Sequence, residues 1–182
     1  MLLQDQVFIV HRRLTKKLLA GFLAGLLHPV VVDFPSFELS SFETLTALKH
    51  SCAELLALMD QSDRPIIICP TKCASPPALA GLLLSYPSIY YTEDPASKVV
   101  NAEVALCSVS TDIMPKILMQ FSCPPSLVKT VLTELDDTMQ QWEFRLGNLS
   151  PKARKLWDSY TGVESCTFKV QLETRRVPIL SL

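Results

Sequence analysis

Two uninterrupted apolar runs, Val30-Val31-Val32 and Ile66-Ile67-Ile68-Cys69, constrain the fold of this chain more than any other feature. A strand with one wet face alternates apolar and polar residues, whereas a run that is apolar at every position must be covered on both faces. Such cover comes from helices on either side of a sheet. The connections are then right-handed crossovers, and the strands they join are parallel.

The intervening segments have the required helical period. From Val7 to Leu27 the positions Val7, Val10, Leu14, Leu18, Phe22 and Gly25 recur at spacings of three and four, and Pro29 is read as the stop. Ser40 and Glu43 are spaced as a capping box for a second helix, whose apolar face runs from Leu45 through Cys52 to Met59. Ser75-Pro76 is an N-cap and first-turn pair for a short helix through Leu84, and Ile89-Tyr90-Tyr91 follows as a third short strand.

The second half changes character. Glu103 to Val109 and Lys116 to Ser122 are strand-like and close enough in sequence to pair antiparallel. Leu127 or Val128, then Val131, Leu132, Leu135, Met139, Trp142 and Leu146 form a clean helical stripe, with Gly147 read as its C-cap. Ser150-Pro151 opens another helix carrying Trp157, which Gly162 ends. Cys166 to Glu173 alternates as a half-exposed edge strand, and the tail with Pro178 either tucks against the domain or extends that strand. The expected fold is a single α/β domain over residues 1–182, a mixed three-layer sandwich with parallel strands in the first half and antiparallel strands in the second.

Composition narrows the function. Lys and Arg total 17 against 18 Asp and Glu, so no excess of either sign is present to attract a nucleic-acid backbone or an anionic membrane. Apolar residues reach 48% and charged residues only 19%, below the roughly 25% of an average soluble domain, which implies a surface partly covered by a partner. The longest apolar segment, Leu18 to Leu27, is about half of a bilayer crossing. No secretory signal is expected ahead of it. Five of the six cysteines, at 52, 69, 73, 107, 123 and 166, fall in or beside apolar runs and read as reduced core thiols. The expected compartment is the cytoplasm, with the nucleus as the other intracellular option, and the sequon Asn148-Leu149-Ser150 is expected to stay unmodified.

In an open α/β sheet ligands collect beyond the carboxyl ends of parallel strands. Those ends carry Asp33, then Lys72 and Cys73, then Glu93 and Asp94, a rim that could serve metal-assisted hydrolysis or small-ligand binding. The same residues are ordinary turn formers and solvated charges. No glycine-rich phosphate loop can be written, and no G-x-S-x-G elbow exists. An aspartyl nucleophile at Asp33 would need a second Asp where Pro35 stands. A nuclease-like trio of Asp33, Asp94 and Asp112 rests on spacing alone.

Cys69, Cys73, Cys107 and Cys123 could be imagined as a zinc site but lack paired C-x-x-C spacing. His11, His28 and His50 read as helix-surface or helix-terminal residues, and Arg12, Arg13, Lys16 and Lys17 as a solvated helix face. No metal and no cofactor is expected.

The segments LLLSYPSIYYTEDP and KILMQFSCPPSLVKTVLTELDDTMQQWEFRL, with the carboxyl end VPILSL, resemble a eukaryotic family of uncharacterised proteins described as a conserved domain of unknown function. The likeness covers about the last hundred residues and centres on Tyr86-Pro87 and on Phe121-Ser122 followed by Pro125-Ser126-Leu127. It implies that members are longer at the amino end, so that this chain begins inside a larger domain. It lends no residue role. The sequence thus leans away from an enzyme and toward an intracellular protein-interaction or scaffold domain, with a protein partner or a second copy of itself and with neither nucleic acid nor membrane. The strand-end rim around Asp33, Lys72 and Asp94 is the alternative.

Overall fold

The computed structural model describes residues 11–61, 75–94, 97–111, 117–148, 150–161 and 167–181. The chain is mixed α/β, with two three-stranded sheets and two compact units, Met1–Val100 with Ile179–Leu182 and Asn101–Pro178.

In the first unit, α1 (Arg12–Leu23) is capped by His11, whose Nδ1 accepts from the Leu14 amide. The helix stops before Pro29 because Gly25 takes a left-handed φ of 67°. Its amide donates to Phe22 and the Leu26 amide donates to Gly21, the paired bonds of a Schellman ending that satisfy the last carbonyls. Glycine adopts this conformation without steric cost, so it ends the helix four positions ahead of the proline.

β1 (Val30–Asp33) is buried over its three valines, as an unbroken apolar run requires. It pairs parallel with β3 (Ser88–Tyr91), Val30 opposite Ser88 and Asp33 opposite Tyr91. On its other side lies β2 (Glu38–Leu39), an exposed two-residue strand that the sequence pattern does not reveal. The predicted strand at Ile66–Cys69 lies outside the described residues.

α2 (Phe42–Gln61) begins one residue later than the capping-box reading implies. Ser41, not Ser40, accepts from the Thr44 amide, which leaves the Ser40 hydroxyl for another use. The first-turn carboxyl of Glu43 is held below its ordinary range by its own backbone amide and by the Ser41 hydroxyl. The basic cluster of α1 is also more than a solvated face. Lys16 pairs with Asp60 at 2.5 Å and Arg12 donates to the Met59 carbonyl, so two cations meet the negative end of α2. α3 (Pro76–Leu83) starts at the expected Ser75-Pro76 pair. Leu19, Leu48, Cys52, Ala78 and Leu82 from the three helices share one core with Val31 and Ile89 of the strands.

In the second unit, β4 (Lys98–Thr111) and β5 (Ile117–Cys123) pair antiparallel as expected, Ala105 opposite Cys123 and Val109 opposite Met119. A 3-10 turn at Pro125–Leu127 leads into α4 (Val128–Gly147), capped at Asn148 rather than at Gly147. Its stripe is fully buried at Val131 and Leu135, and the Trp142 ring lies 5.4 Å from that of Phe168. α5 (Pro151–Thr161) follows. β6 (Phe168–Ser181) completes the sheet in the order β5-β4-β6. The tail therefore extends the edge strand, and Pro178 sits where a missing amide is tolerated, on an outer strand.

Candidate functional site

Parallel pairing of β1 and β3 sets Asp33 beside Tyr91, two residues ahead of Glu93 and three ahead of Asp94. Asp33 and Asp94 also have local work. The Asp33 carboxylate accepts from the Ser40 hydroxyl at 2.5 Å, and its carbonyl accepts from the Phe37 amide and the Ser36 hydroxyl. Asp33 thereby closes the turn from β1 to β2, with Phe37 at a left-handed φ of 61° and the rings of Phe34, Phe37 and Tyr90 packed edge to face above it. Asp94 heads a second turn, accepting from the Ser97 amide through its carbonyl and from the Ser97 hydroxyl through Oδ2. Thr92 is buried, donates its hydroxyl to the Asp94 carbonyl and gives its amide to Ser75 Oγ. Ser75 is thus both the cap of α3 and the tie between that helix and the end of β3.

Glu93 is exposed. Lys72, Cys73 and Asp112 lie outside the described residues, as does Cys69. Among the described residues no three His, Cys, Asp or Glu side chains stand close enough to share a metal ion. The histidines are spread apart, with His11 on its helix cap and His50 paired with Glu54 along α2.

Tyr91 is the rim residue that strand patterning misses, because it reads as core. Burial first, then the charges of Glu93 and Asp33, push its phenol above the usual tyrosine range. A raised acid binds more protons in the folded state, so the stability it contributes is complete below pH 10.0 and is lost as pH rises through the elevated value. Urea midpoints measured from pH 8 to 11 should therefore fall more steeply in the parent chain than in Tyr91→Phe. Equal slopes would show that neither burial nor the two carboxylates raises the phenol.

Two thiols also come together. Cys107 on β4 and Cys123 on β5 are fully buried and in thiol–thiol contact, and the bond with Cys107, then burial, push the Cys123 thiol up. Their diagonal placement follows from the register, in which Cys107 faces Phe121 and Cys123 faces Ala105. With no third ligand among the described residues, they are a core pair.

β6 is exposed over most of its length. Lys169 through Arg176 are all exposed, including Val170 at 36% and Leu172 at 47%. Alternation puts Phe168, Val170 and Leu172 on the face that meets Trp142, and Lys169, Gln171, Glu173 and Arg175 on the other. Arg175 pairs with Glu173 at 2.7 Å and holds that carboxyl below its ordinary range, while Arg176 lies 4.0 Å from Glu103 of β4. Among the described residues no strand pairs with the outer side of β6.

No family model, no curated protein and no solved structure matches the chain. Among the described residues no helix is long and apolar enough to cross a membrane.

Proposed function

We propose that the chain is a non-enzymatic protein-interaction domain of the cytoplasm that binds through the outer edge of β6. The observation that carries this reading is a fourteen-residue terminal strand with exposed Val170 and Leu172. Unpaired amides and carbonyls along such an edge supply affinity to an added strand, and alternate side chains supply selectivity. The likeness to the eukaryotic domain of unknown function belongs to the same proposal. So does the three-layer sandwich with parallel strands in the first half.

Proximity labelling in cells with the parent chain and Leu172→Lys tests the reading. A partner set that disappears with the variant supports it, and a set indifferent to Leu172 rejects the β6 edge.

The second reading, a small-ligand or metal-assisted hydrolytic rim, is favoured by one observation: parallel pairing sets Asp33 beside Tyr91, two residues ahead of Glu93. Stoichiometric metal in the purified protein, lost in Asp33→Asn, would support it. A metal-free protein of unchanged composition after metal challenge would end it.

A further inference from the structure

We propose that the strand added to β6 is β6 of a second copy of this chain, paired antiparallel about a two-fold axis through Gln171. The proposal rests on the interaction reading above and names its partner. A two-fold axis normal to the sheet pairs residues at equal distances on either side of it, so each strand must be complementary to its own reverse. With the axis at Gln171, Val170 faces Leu172 of the other copy and Lys169 faces its Glu173, and each pair occurs twice.

Both exposed apolar side chains of this stretch are then matched to each other on the Trp142 face, and opposite charges meet on the other. Glu173 already accepts from Arg175, and a carboxylate has lone pairs left for a lysine.

Neighbouring registers fit less well. An axis at Leu172 opposes Lys169 to Arg175, a like-charge pair repeated twice. An axis at Thr174 matches Glu173 to Arg175 but sets Leu172 against Arg176 and draws Pro178, which has no amide to donate, into the paired stretch. Lysine and proline commonly blunt an edge strand. Here Pro178 lies beyond the stretch paired about Gln171, and Lys169 is answered by Glu173. The product is one continuous sheet in the order β5-β4-β6 followed by β6-β4-β5 of the second copy.

The test is light scattering on the full chain across a concentration series, with exposed-site variants. A concentration-dependent dimer is expected. Lys169→Glu and Glu173→Lys should each weaken it about thirtyfold, because either one places like charges opposite each other at two symmetry-related positions. The double variant should restore it, because the exchanged charges meet again.

Gln171→Cys should form a disulfide-linked dimer under air oxidation that the parent chain does not, since a residue on the axis faces its own copy. A chain monomeric at every concentration, or a double variant as weak as the singles, overturns the second copy as partner. If that monomer still loses its labelled partners with Leu172→Lys, the interaction reading stands without self-pairing. If it labels nothing in a Leu172-dependent way, both fail.

Discussion

Replacing Gly81 with Ala should destabilise the protein by about 2 to 3 kcal/mol, although alanine is the better helix former by about 1 kcal/mol. Gly81 lies on the face of α3 that crosses β3. A methyl added there would sit 2.5 Å from Cγ2 of Ile89 and 3.1 Å from its Cβ. Those atoms belong to the branch point of a stiff side chain that is only 2% exposed, so neither can swing aside. Relief requires the helix and strand to separate, which opens space around Leu79 and Leu82. Urea unfolding measures the loss. Ile89→Ala alone leaves a cavity and should cost about 3 kcal/mol. Combined with Gly81→Ala it should cost clearly less than the sum, because the new methyl occupies part of the vacated volume. Additive losses would show that the two residues do not touch.

The second large effect is confined to one end of a helix. Leu135→Ala should cost about 3 to 4 kcal/mol, since its side chain is fully buried and deletion leaves a cavity. On the same helix Phe144 is 73% exposed, and Phe144→Ala should change stability by about 0.5 kcal/mol or less. α4 would then be anchored through its first half by Val131 and Leu135, with Trp142 against Phe168 as a contact of its later turns. Equal effects at 135 and 144 would contradict that account.

These two sites illustrate what a sequence discloses. Val30 to Val32 announce a buried strand because no polar residue interrupts them, and Ser75-Pro76 announces a helix start because both residues fit its first turn. Antiparallel pairing of β4 and β5 is legible from their proximity along the chain. The misreadings have physical causes. Pro29 is the louder breaker, but Gly25 ends α1 first because a left-handed residue satisfies its carbonyls. Ser40 and Ser41 are equally good caps on paper, and the choice falls to Ser41 because Asp33 takes the Ser40 hydroxyl. β2 is two exposed residues with no periodicity to detect. β6 outruns its apolar alternation because Arg175 and Arg176 can sit at an edge without burial.

The candidate rim was half legible. The strand ends that carry Asp33 and Glu93 were readable, but the hydroxyl of Ser40 on Asp33 and the bond from Ser97 to Asp94 are structural facts that composition cannot supply. The contact of Cys107 with Cys123 needed the register of two strands, since neither residue is notable alone.

The two sheets impose different histories on the growing chain. Ser110 finds Ile117 after a short excursion, so the β4–β5 hairpin can form almost as soon as both strands leave the ribosome. Val30 cannot meet Ser88 until α2 and α3 have been made, and closing so long a loop forfeits chain entropy before any ladder bond repays it. During synthesis Val30 to Val32 therefore wait as a wholly apolar strand with β2 on one edge and the edge that meets β3 still open, a segment on which a chaperone can act.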